Sequence, residues 1–307
     1  MNRVRGGVPG FLLASLRASR DAFRRVGYPR ARWPRPLGTR PPIGLAVCAI
    51  FRDEARYLAE WVAFHRVQGV ERFYLYDNLS GDDWRSQLAP EIAAGIVEVT
   101  PWPPEPGQLP AYDDCLQRHR DEARWIAMID IDEFLFSPTG ESLPKILRRF
   151  DTHPAVVVNR RFFGTNGHRR PPAGLITESY PMRARDDDWT NALVKSIVYP
   201  RMTLSALSAH TFSLRGTAVD EDGRPAPKAT REPATADLLR INHYYAKSEE
   251  EFRRKSATPR ADSGTVTYRM GIPDDEVRDE AILQFSERLR EMLASRGPGR
   301  RSHAAVT

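Results

Sequence analysis

A nearly unbroken apolar run close to the start of the chain constrains the fold more than any other feature. Residues Ile43–Phe51 read IGLAVCAIF, which is typical of a strand buried on both faces of a parallel sheet. A helical pattern follows, in which Leu58, Trp61, Val62 and His65 recur at the spacing of one helix face. This order of strand and helix predicts the beginning of a β-α-β unit.

Three further strands are predicted in the first half of the chain, over residues 72–76, 96–100 and 125–129, with a helix over 111–122. Strands that alternate with helices indicate an α/β fold with a mostly parallel sheet flanked by helices. In such sheets ligands bind at the carboxyl ends of the strands. The residues that directly follow the strands are therefore the first candidates for a site.

The second half of the chain shows a weaker pattern. Strands are expected over 155–159 and 193–199, a polar helix over 248–255, and an amphipathic helix over 274–296. Residues 217–236 are rich in proline, alanine and charge, so we expect a mobile insertion there. These elements extend one domain and do not indicate a second.

Charge is unevenly distributed along the chain. Residues 1–40 contain ten arginines and one acidic residue, Asp21, whereas the whole chain has a net charge of +6. The part between the tails is mildly acidic, which argues against nucleic-acid binding. We expect a single catalytic domain over 43–290, between a disordered Pro- and Arg-rich leader (1–42) and a disordered basic tail (291–307).

The leader leaves two interpretations open. Residues 8–26 could form a basic amphipathic helix on an anionic membrane surface, or belong to a disordered arginine-rich segment. No apolar run reaches the roughly 18 residues of a membrane-spanning helix, and no secretory signal pattern is present. The expected location is cytoplasmic, with peripheral membrane contact through this tail as the alternative to a free leader.

Four acidic residues directly follow the predicted strands. Asp53 comes after the first strand, Asp77 after the second, and Asp130 and Asp132 after the fourth. Because the carboxyl ends of parallel strands share one edge of the sheet, these carboxylates are expected to converge on one crevice.

Asp130-Ile131-Asp132 carries the chemistry. Side chains two apart at a strand end point to the same side, and two carboxylates there suit Mg²⁺ or Mn²⁺. Such a cation would neutralise a departing nucleoside diphosphate. The alternative is a solvated acidic turn, but the apolar segments WIAMI before and EFLF after it favour buried acids that need a partner.

Several segments resemble the GT-A glycosyltransferases of the family 2 and family 92 group, once a domain of unknown function. They are AIFRDEARYLAEWVAFHRVQGVERFYLYDNLSGDD (49–83), WIAMIDIDEFLF (125–136), FFGTNGH (162–168), KSIV (195–198) and INHYYAKSEEEFRRK (241–255). The resemblance covers roughly residues 43–260 and does not extend to the leader or the insertion. It implies a GT-A-like (Rossmann-like) fold and a nucleotide-sugar donor.

The resemblance also implies roles for single residues. Asp130 and Asp132 would hold the metal, while Asp53, Glu54 and Asp77 would lie near the base and ribose of the nucleotide. Relatives often carry Asn-Glu where this chain has Asp53-Glu54, so an amide donor is lost there while an acceptor is kept.

Three further residues are candidates for the site. His243 is expected as the third metal ligand, with His210 as its competitor and a merely packed histidine as the alternative. Lys195 could reach the diphosphate as a point charge, or be a solvated lysine on an edge strand.

The catalytic base is expected to be a carboxylate within hydrogen-bond reach of the acceptor hydroxyl. Glu178 is the first candidate, and Asp187 within the acidic run 186–188 is the second, although such a run is usually a solvated loop. Residues 163–168 predict a loop on the acceptor side, where glycine permits close backbone approach.

The sequence therefore predicts a metal-dependent glycosyltransferase that moves a sugar from a nucleotide donor, expected to be UDP-linked, to a glycan or lipid-linked acceptor by inverting displacement. A nucleotidyltransferase would need a glycine-rich loop after the first strand, where this chain has FRDEAR. A non-catalytic glycan-binding protein is the other alternative, and it would not depend on a metal.

Overall fold

The computed structural model of the chain describes residues 41–259, 261–266 and 271–296. Its strands are β1 (Ile43–Phe51), β2 (Arg72–Asp77), β3 (Val97–Pro101), β4 (Ala123–Met128), β5 (Glu133–Phe136), β6 (Ala155–Phe162), β7 (Met182–Arg183), β8 (Val194–Val198), β9 (Thr203–Ala206), β10 (Phe212–Leu214), β11 (Arg240–His243) and β12 (Val277–Arg278). Its α-helices are α1 (Ala55–Val67), α2 (Trp84–Ala93), α3 (Gln108–Arg118), α4 (Leu143–Leu147), α5 (Ile176–Ser179), α6 (Glu249–Ala257) and α7 (Ser286–Ser295).

One eight-stranded sheet organises the domain, in the order β3-β2-β1-β4-β8-β6-β11-β5. The first four strands in that order run parallel to one another, as the sequence predicts. Beyond them the sheet is mixed: β8 is antiparallel to both neighbours, β11 is parallel to β6, and β5 is antiparallel to β11. The carboxyl end of β4 and the first residue of β8 therefore meet at the same edge.

Strand β1 lies in the interior because its alternate residues pack into two different cores. Leu45 and Val47 face the cluster that contains Trp61 of α1, whereas Ala46 and Cys48 face the cluster on the other side of the sheet. A strand covered on both faces must be apolar throughout. The run that defines β1 in the sequence is thus a direct consequence of its central position.

Short elements depart most from the sequence pattern. Helix α2 is absent from the sequence prediction, since only Trp84, Leu88 and Glu91 of it are buried and no apolar stripe marks it. Strands β5 and β11 have four residues each, too few for a periodic signal. The expected C-terminal helix is divided, with a 3₁₀ segment over Ala281–Phe285 before α7.

Residues 217–236, for which composition predicts mobility, are hydrogen-bonded to the sheet. Val219 exchanges backbone hydrogen bonds with β6, accepting from Val157 at 2.8 Å and donating to Ala155 at 3.0 Å. Ala229 accepts a backbone hydrogen bond from Val194 at 3.1 Å. The segment is therefore attached to β6 and β8 by backbone hydrogen bonds.

The predicted termini are described only in part. Residues 291–295, expected in the tail, belong to α7, and Arg296 pairs with Glu91. The leader through residue 40 and the last residues, 297–307, lie outside the described part of the chain. Within the described part, no helix has the length and apolar character needed to cross a membrane.

Candidate functional site

A cleft of about 350 Å³ opens at the carboxyl ends of β1 and β4. The loop after β1, the turn between β4 and β5, and the helix α6 contribute to its walls. Its charged and polar lining includes Arg52, Asp53, Glu54, Tyr57, Gln108, Asp130, Asp132, Arg160, His210, His243, Lys247, Glu251, Arg254, Lys255 and Asp262. The convergence of Asp53, Asp130 and Asp132 expected from the strand ends is therefore present.

Asp130 occupies the end of β4, where the apolar strand carries its backbone out of the core. Its Oδ2 accepts a hydrogen bond from Lys195 Nζ at 2.7 Å, and its Oδ1 accepts one from Gln108 Nε2 at 2.8 Å. Burial raises the pKa of Asp130, but the charge and the hydrogen bond of Lys195, together with His243, hold that pKa below its ordinary value. Asp130 is therefore ionised, and its negative charge is already compensated.

Asp132 lies two residues further along the same turn. Its carboxylate accepts a hydrogen bond from Lys255 of α6, and His243 Nε2 lies 3.4 Å from its Oδ1. Burial raises the pKa of Asp132, whereas Lys255 and then His243 lower it, so that it ends well below the ordinary value. The two carboxylates therefore do not form a free, solvated acidic turn, because Asp130 is paired with Lys195 and Asp132 with Lys255.

Glu133 directly follows the turn, and the sequence reasoning missed it. Its side chain is fully buried, with Arg160 Nη1 3.3 Å from Oε1 and Lys195 Nζ 3.4 Å from Oε2. Oε2 also accepts the backbone N–H of Asp130 at 3.0 Å. Burial raises the pKa of Glu133 to about 7. An acid within the apolar segment EFLF was the available signal for this role.

Lys195 is neither solvated nor on an edge strand. It belongs to β8 in the middle of the sheet, is 1% exposed, and bridges Asp130 and Glu133. It does not line the cleft. The cations that line it include Arg52 and Arg160, together with Lys247, Arg254 and Lys255 from α6 and the segment before it.

The loops after β1 and β2 are fastened together beside the cleft. Asp53 Oδ1 accepts a hydrogen bond from Gly81 N–H at 2.7 Å, and Asp53 N–H donates to Ser80 Oγ at 3.1 Å. Asp77 accepts from Ser80 N–H at 3.0 Å and from Trp84 Nε1 at 3.1 Å, and it does not line the cleft. Asp77 therefore shapes the loop to which Asp53 is bonded.

Glu54 is paired across the cleft wall with Lys247, whose Nζ lies 2.7 Å from Glu54 Oε2 and 3.8 Å from the centre of the Tyr57 ring. Lys247 has φ 51° and Asp53 has φ 56°, left-handed conformations that cost energy for residues other than glycine. Strain of this kind concentrates at functional sites. Its occurrence at two positions of one cleft supports a functional role for that cleft.

The two expected catalytic bases do not reach the cleft. Glu178 lies on α5, with Arg290 of α7 bonded to its Oε2 at 2.9 Å. Asp187 is exposed and pairs with the neighbouring Arg185 at 3.1 Å. The cleft carboxylates outside the Asp130–Asp132 turn are Asp53, Glu54, Glu251 and Asp262, and no sequence pattern marks one of them as the catalytic base.

The residues present fit a divalent cation in part. Asp132 Oδ1 and His243 Nε2 are 3.4 Å apart, close to the roughly 3 Å between neighbouring ligands of an octahedral Mg²⁺. Burial and Arg160 lower the pKa of His243 to about 4, so its imidazole is neutral, as a ligand must be. Asp130 instead faces Lys195, and the described residues hold no group of three acidic, histidine or cysteine side chains around one point.

Known proteins are similar to this chain in sequence. The sequence profile of glycosyltransferase family 92 matches residues 42–293. A family 92 protein of Ricinus communis is 32% identical over 242 residues, or 76% of this chain and 41% of that protein. A galactan β-1,4-galactosyltransferase of Arabidopsis thaliana is 27% identical over 116 residues, or 34% of this chain and 23% of that protein.

Among solved structures, TarS 1–349 of S. aureus in complex with UDP aligns with a TM-score of 0.36 and 15% identity, over 52% of this chain and 47% of that one. The chain spans about two fifths of the length of the Ricinus relative. The family match extends over nearly all described residues, and the sheet has the α/β arrangement that the resemblance implies. The chain belongs to glycosyltransferase family 92.

Proposed function

We propose that this chain transfers a sugar from a nucleotide donor, most simply a UDP-sugar, to a hydroxyl of a glycan or lipid-linked acceptor. The observation that carries the proposal is the turn from Asp130 to Asp132, which lines the cleft and whose carboxylates are held by Lys195 and Lys255. Membership of family 92 supports the reaction class, and the galactosyltransferase name of one relative supports a hexosyl donor.

A divalent cation, Mn²⁺ or Mg²⁺, would be held by Asp132 and His243, with Asp130 as the further proposed ligand. When bound, it would neutralise the charge that develops on the departing diphosphate. The neutral imidazole of His243 and the ionised carboxylate of Asp132 are already in the protonation states that a metal requires.

The protein's own cations complement the same leaving group. Lys255 and Lys247 line the cleft on the side of α6, each beside a carboxylate that fixes its position. Lys195 does not line the cleft itself, but it is bonded to Asp130 and keeps that carboxylate ionised and oriented. Donors that are positioned before the reaction stabilise developing charge without reorganisation at the moment of transfer.

The nucleotide is proposed to bind along the loops after β1 and β2. Asp53 and Glu54 offer carboxylate acceptors to the base or ribose, and Asp77 contributes through the loop that it shapes. An inverting displacement is the mechanism we propose, since it needs one carboxylate on the acceptor side and no covalent intermediate. That base belongs among the carboxylates that line the cleft.

The experiment that tests the proposal is a turnover screen. The purified chain is incubated with a panel of UDP-, GDP- and CMP-linked sugars, with and without Mn²⁺, and release of nucleotide is measured. We expect hydrolysis or transfer from at least one donor, with Mn²⁺ raising the rate. No release from any donor, together with no nucleotide binding, would refute the proposal.

The same screen separates the two alternatives. A nucleotidyltransferase would release pyrophosphate from a nucleoside triphosphate and a sugar phosphate, which is assayed in parallel. A non-catalytic glycan-binding protein would retain ligand binding in the double variant Asp130→Asn, Asp132→Asn, and would not respond to the metal.

We further propose that the chain works in the cytoplasm at a membrane surface. The support is the leader, with ten arginines and one acid in residues 1–40. Co-sedimentation with vesicles that contain anionic lipid, compared between the full chain and a chain from residue 41, tests this. Equal sedimentation of the two would count against it.

A further inference from the structure

His210 lies between β9 and β10, in a turn that is fixed by hydrogen bonds on every side. Its backbone N–H donates to Ser208 Oγ at 3.1 Å, and its carbonyl accepts from Ser196 Oγ at 2.7 Å. The ring nitrogen Nδ1 lies 2.7 Å from the carbonyl oxygen of Val194, the first residue of β8. Both the backbone and the ring plane of His210 are therefore held in place.

The bond to Val194 determines the tautomer. A carbonyl oxygen can only accept, so Nδ1 carries the hydrogen and Nε2 presents a lone pair. Within the described part of the chain, Nε2 has no hydrogen-bond partner, and the side chain is partly exposed along the cleft. Burial, together with Lys195 and Arg160, lowers the pKa of His210 to about 3, which keeps the imidazole neutral.

A second histidine shows what a purely structural ring looks like in this fold. His65 is fully buried, and both of its nitrogens are used: Nδ1 donates to the Trp61 carbonyl at 2.8 Å, and Nε2 accepts from Leu135 N–H at 3.1 Å. His210 has the same kind of carbonyl anchor but keeps its acceptor open to the cleft. That acceptor is therefore available to a ligand that enters the cleft.

The order of the strands in the sheet indicates which part of the substrate would lie next to His210. Strands β2, β1, β4 and β8 are neighbours in this order, and Asp53 follows β1 while Asp130 follows β4. Val194, to which His210 is bonded, begins β8 at the same edge, because β8 is antiparallel to β4. With the nucleotide along β1 and β2 and the diphosphate at Asp130, the next position along the edge is that of the donor sugar.

We propose that His210 Nε2 accepts a hydrogen bond from a hydroxyl group of the donor sugar and thereby selects among donor sugars. This inference rests on the proposed function. In a deoxy sugar the hydroxyl that would donate to Nε2 is missing, so the hydrogen bond is lost. A site built to bond one hydroxyl therefore discriminates against an analogue that lacks it.

The test uses His210→Asn, because asparagine keeps a donor toward the Val194 carbonyl and removes the atom at the Nε2 position. Donor hydrolysis, with water as the acceptor, is measured for the best nucleotide sugar and its monodeoxy analogues. We expect kcat/KM to fall about tenfold for the parent donor, with no loss for the one analogue that lacks the bonded hydroxyl. Affinity for the free nucleoside diphosphate and for Mn²⁺ should be unchanged.

Matched variants keep the result interpretable. His153→Asn changes a histidine outside the cleft and should behave as the wild type, and unfolding temperatures show that each variant is folded. Equal loss with every donor, or a fall in Mn²⁺ affinity, would make His210 a structural residue or a metal ligand and overturn the inference. A wild-type chain that releases nucleotide from no nucleotide sugar and binds no nucleotide would overturn the proposed function, and this inference with it.

Discussion

Replacing Asp113 by asparagine should remove a pH dependence from the stability of this fold. Asp113 lies on α3 and is 6% exposed, and its Oδ1 accepts the backbone N–H of Ala206 in β9 at 2.7 Å. Burial raises its pKa from 3.8 to about 7, because one hydrogen bond does not replace the hydration of the carboxylate. Asparagine keeps the accepting oxygen and is never charged.

The direction in which stability changes with pH follows from the protons bound by the folded and unfolded chains. Between pH 4 and pH 7, as set by the two pKa values, the folded chain holds a proton on Asp113 that the unfolded chain has released. The free energy of unfolding therefore falls as the pH rises through this window, and it levels off above it. A shift of about three units corresponds to at most about 4 kcal/mol at about 1.4 kcal/mol per unit.

Urea unfolding at pH 5 and pH 8 measures the effect as a difference between the wild type and Asp113→Asn, so that other titrating groups cancel. The variant should gain stability relative to the wild type as the pH rises, by about 1 kcal/mol or more. A difference between the two proteins that is the same at both pH values would refute the reasoning.

Four other substitutions have expected outcomes. Lys195→Met removes the cation that Asp130 and Glu133 share and leaves Arg160 as the remaining partner of Glu133, so it should lower the free energy of unfolding by about 3–5 kcal/mol in chemical denaturation. Glu178→Gln and Asp187→Asn should each leave donor turnover within about twofold of wild type, since neither side chain lines the cleft; a larger loss of kcat would contradict this placement. Ser248→Ala removes the capping box of α6 and should cost about 1 kcal/mol, seen as a lower unfolding temperature.

Local patterns in the sequence were sufficient to predict the elements that create the cleft. The apolar run gave β1 with the same bounds, and the placement of Asp130 and Asp132 after a buried strand was correct. The bounds of β1 and the position of these two acids can both be inferred from residues that are close together in the sequence. A strand covered on two faces must be apolar, and an acid at its end must leave the core.

The partners of those acids could not be predicted in this way. Lys195 is 65 residues from Asp130 and Lys255 is 123 residues from Asp132, so each pair depends on how strands and helices far apart in the chain are arranged. The same limitation applies to Glu178, which was expected at the acceptor but pairs through Oε2 with Arg290, 112 residues further along the chain. Mobility was expected of segment 217–236 from its composition alone, and composition does not reveal the backbone hydrogen bonds of Val219 to β6 and of Ala229 to β8.

The central claim is that the turn from Asp130 to Asp132 is the metal-dependent end of a nucleotide-sugar site. Isothermal titration of UDP into the wild type and Asp132→Asn, with and without Mn²⁺, tests it most directly. We predict that Mn²⁺ tightens UDP binding to the wild type at least tenfold and leaves the affinity of the variant unchanged, about 1.4 kcal/mol of coupling. UDP binding that is equally tight in both proteins and indifferent to Mn²⁺ would contradict the claim.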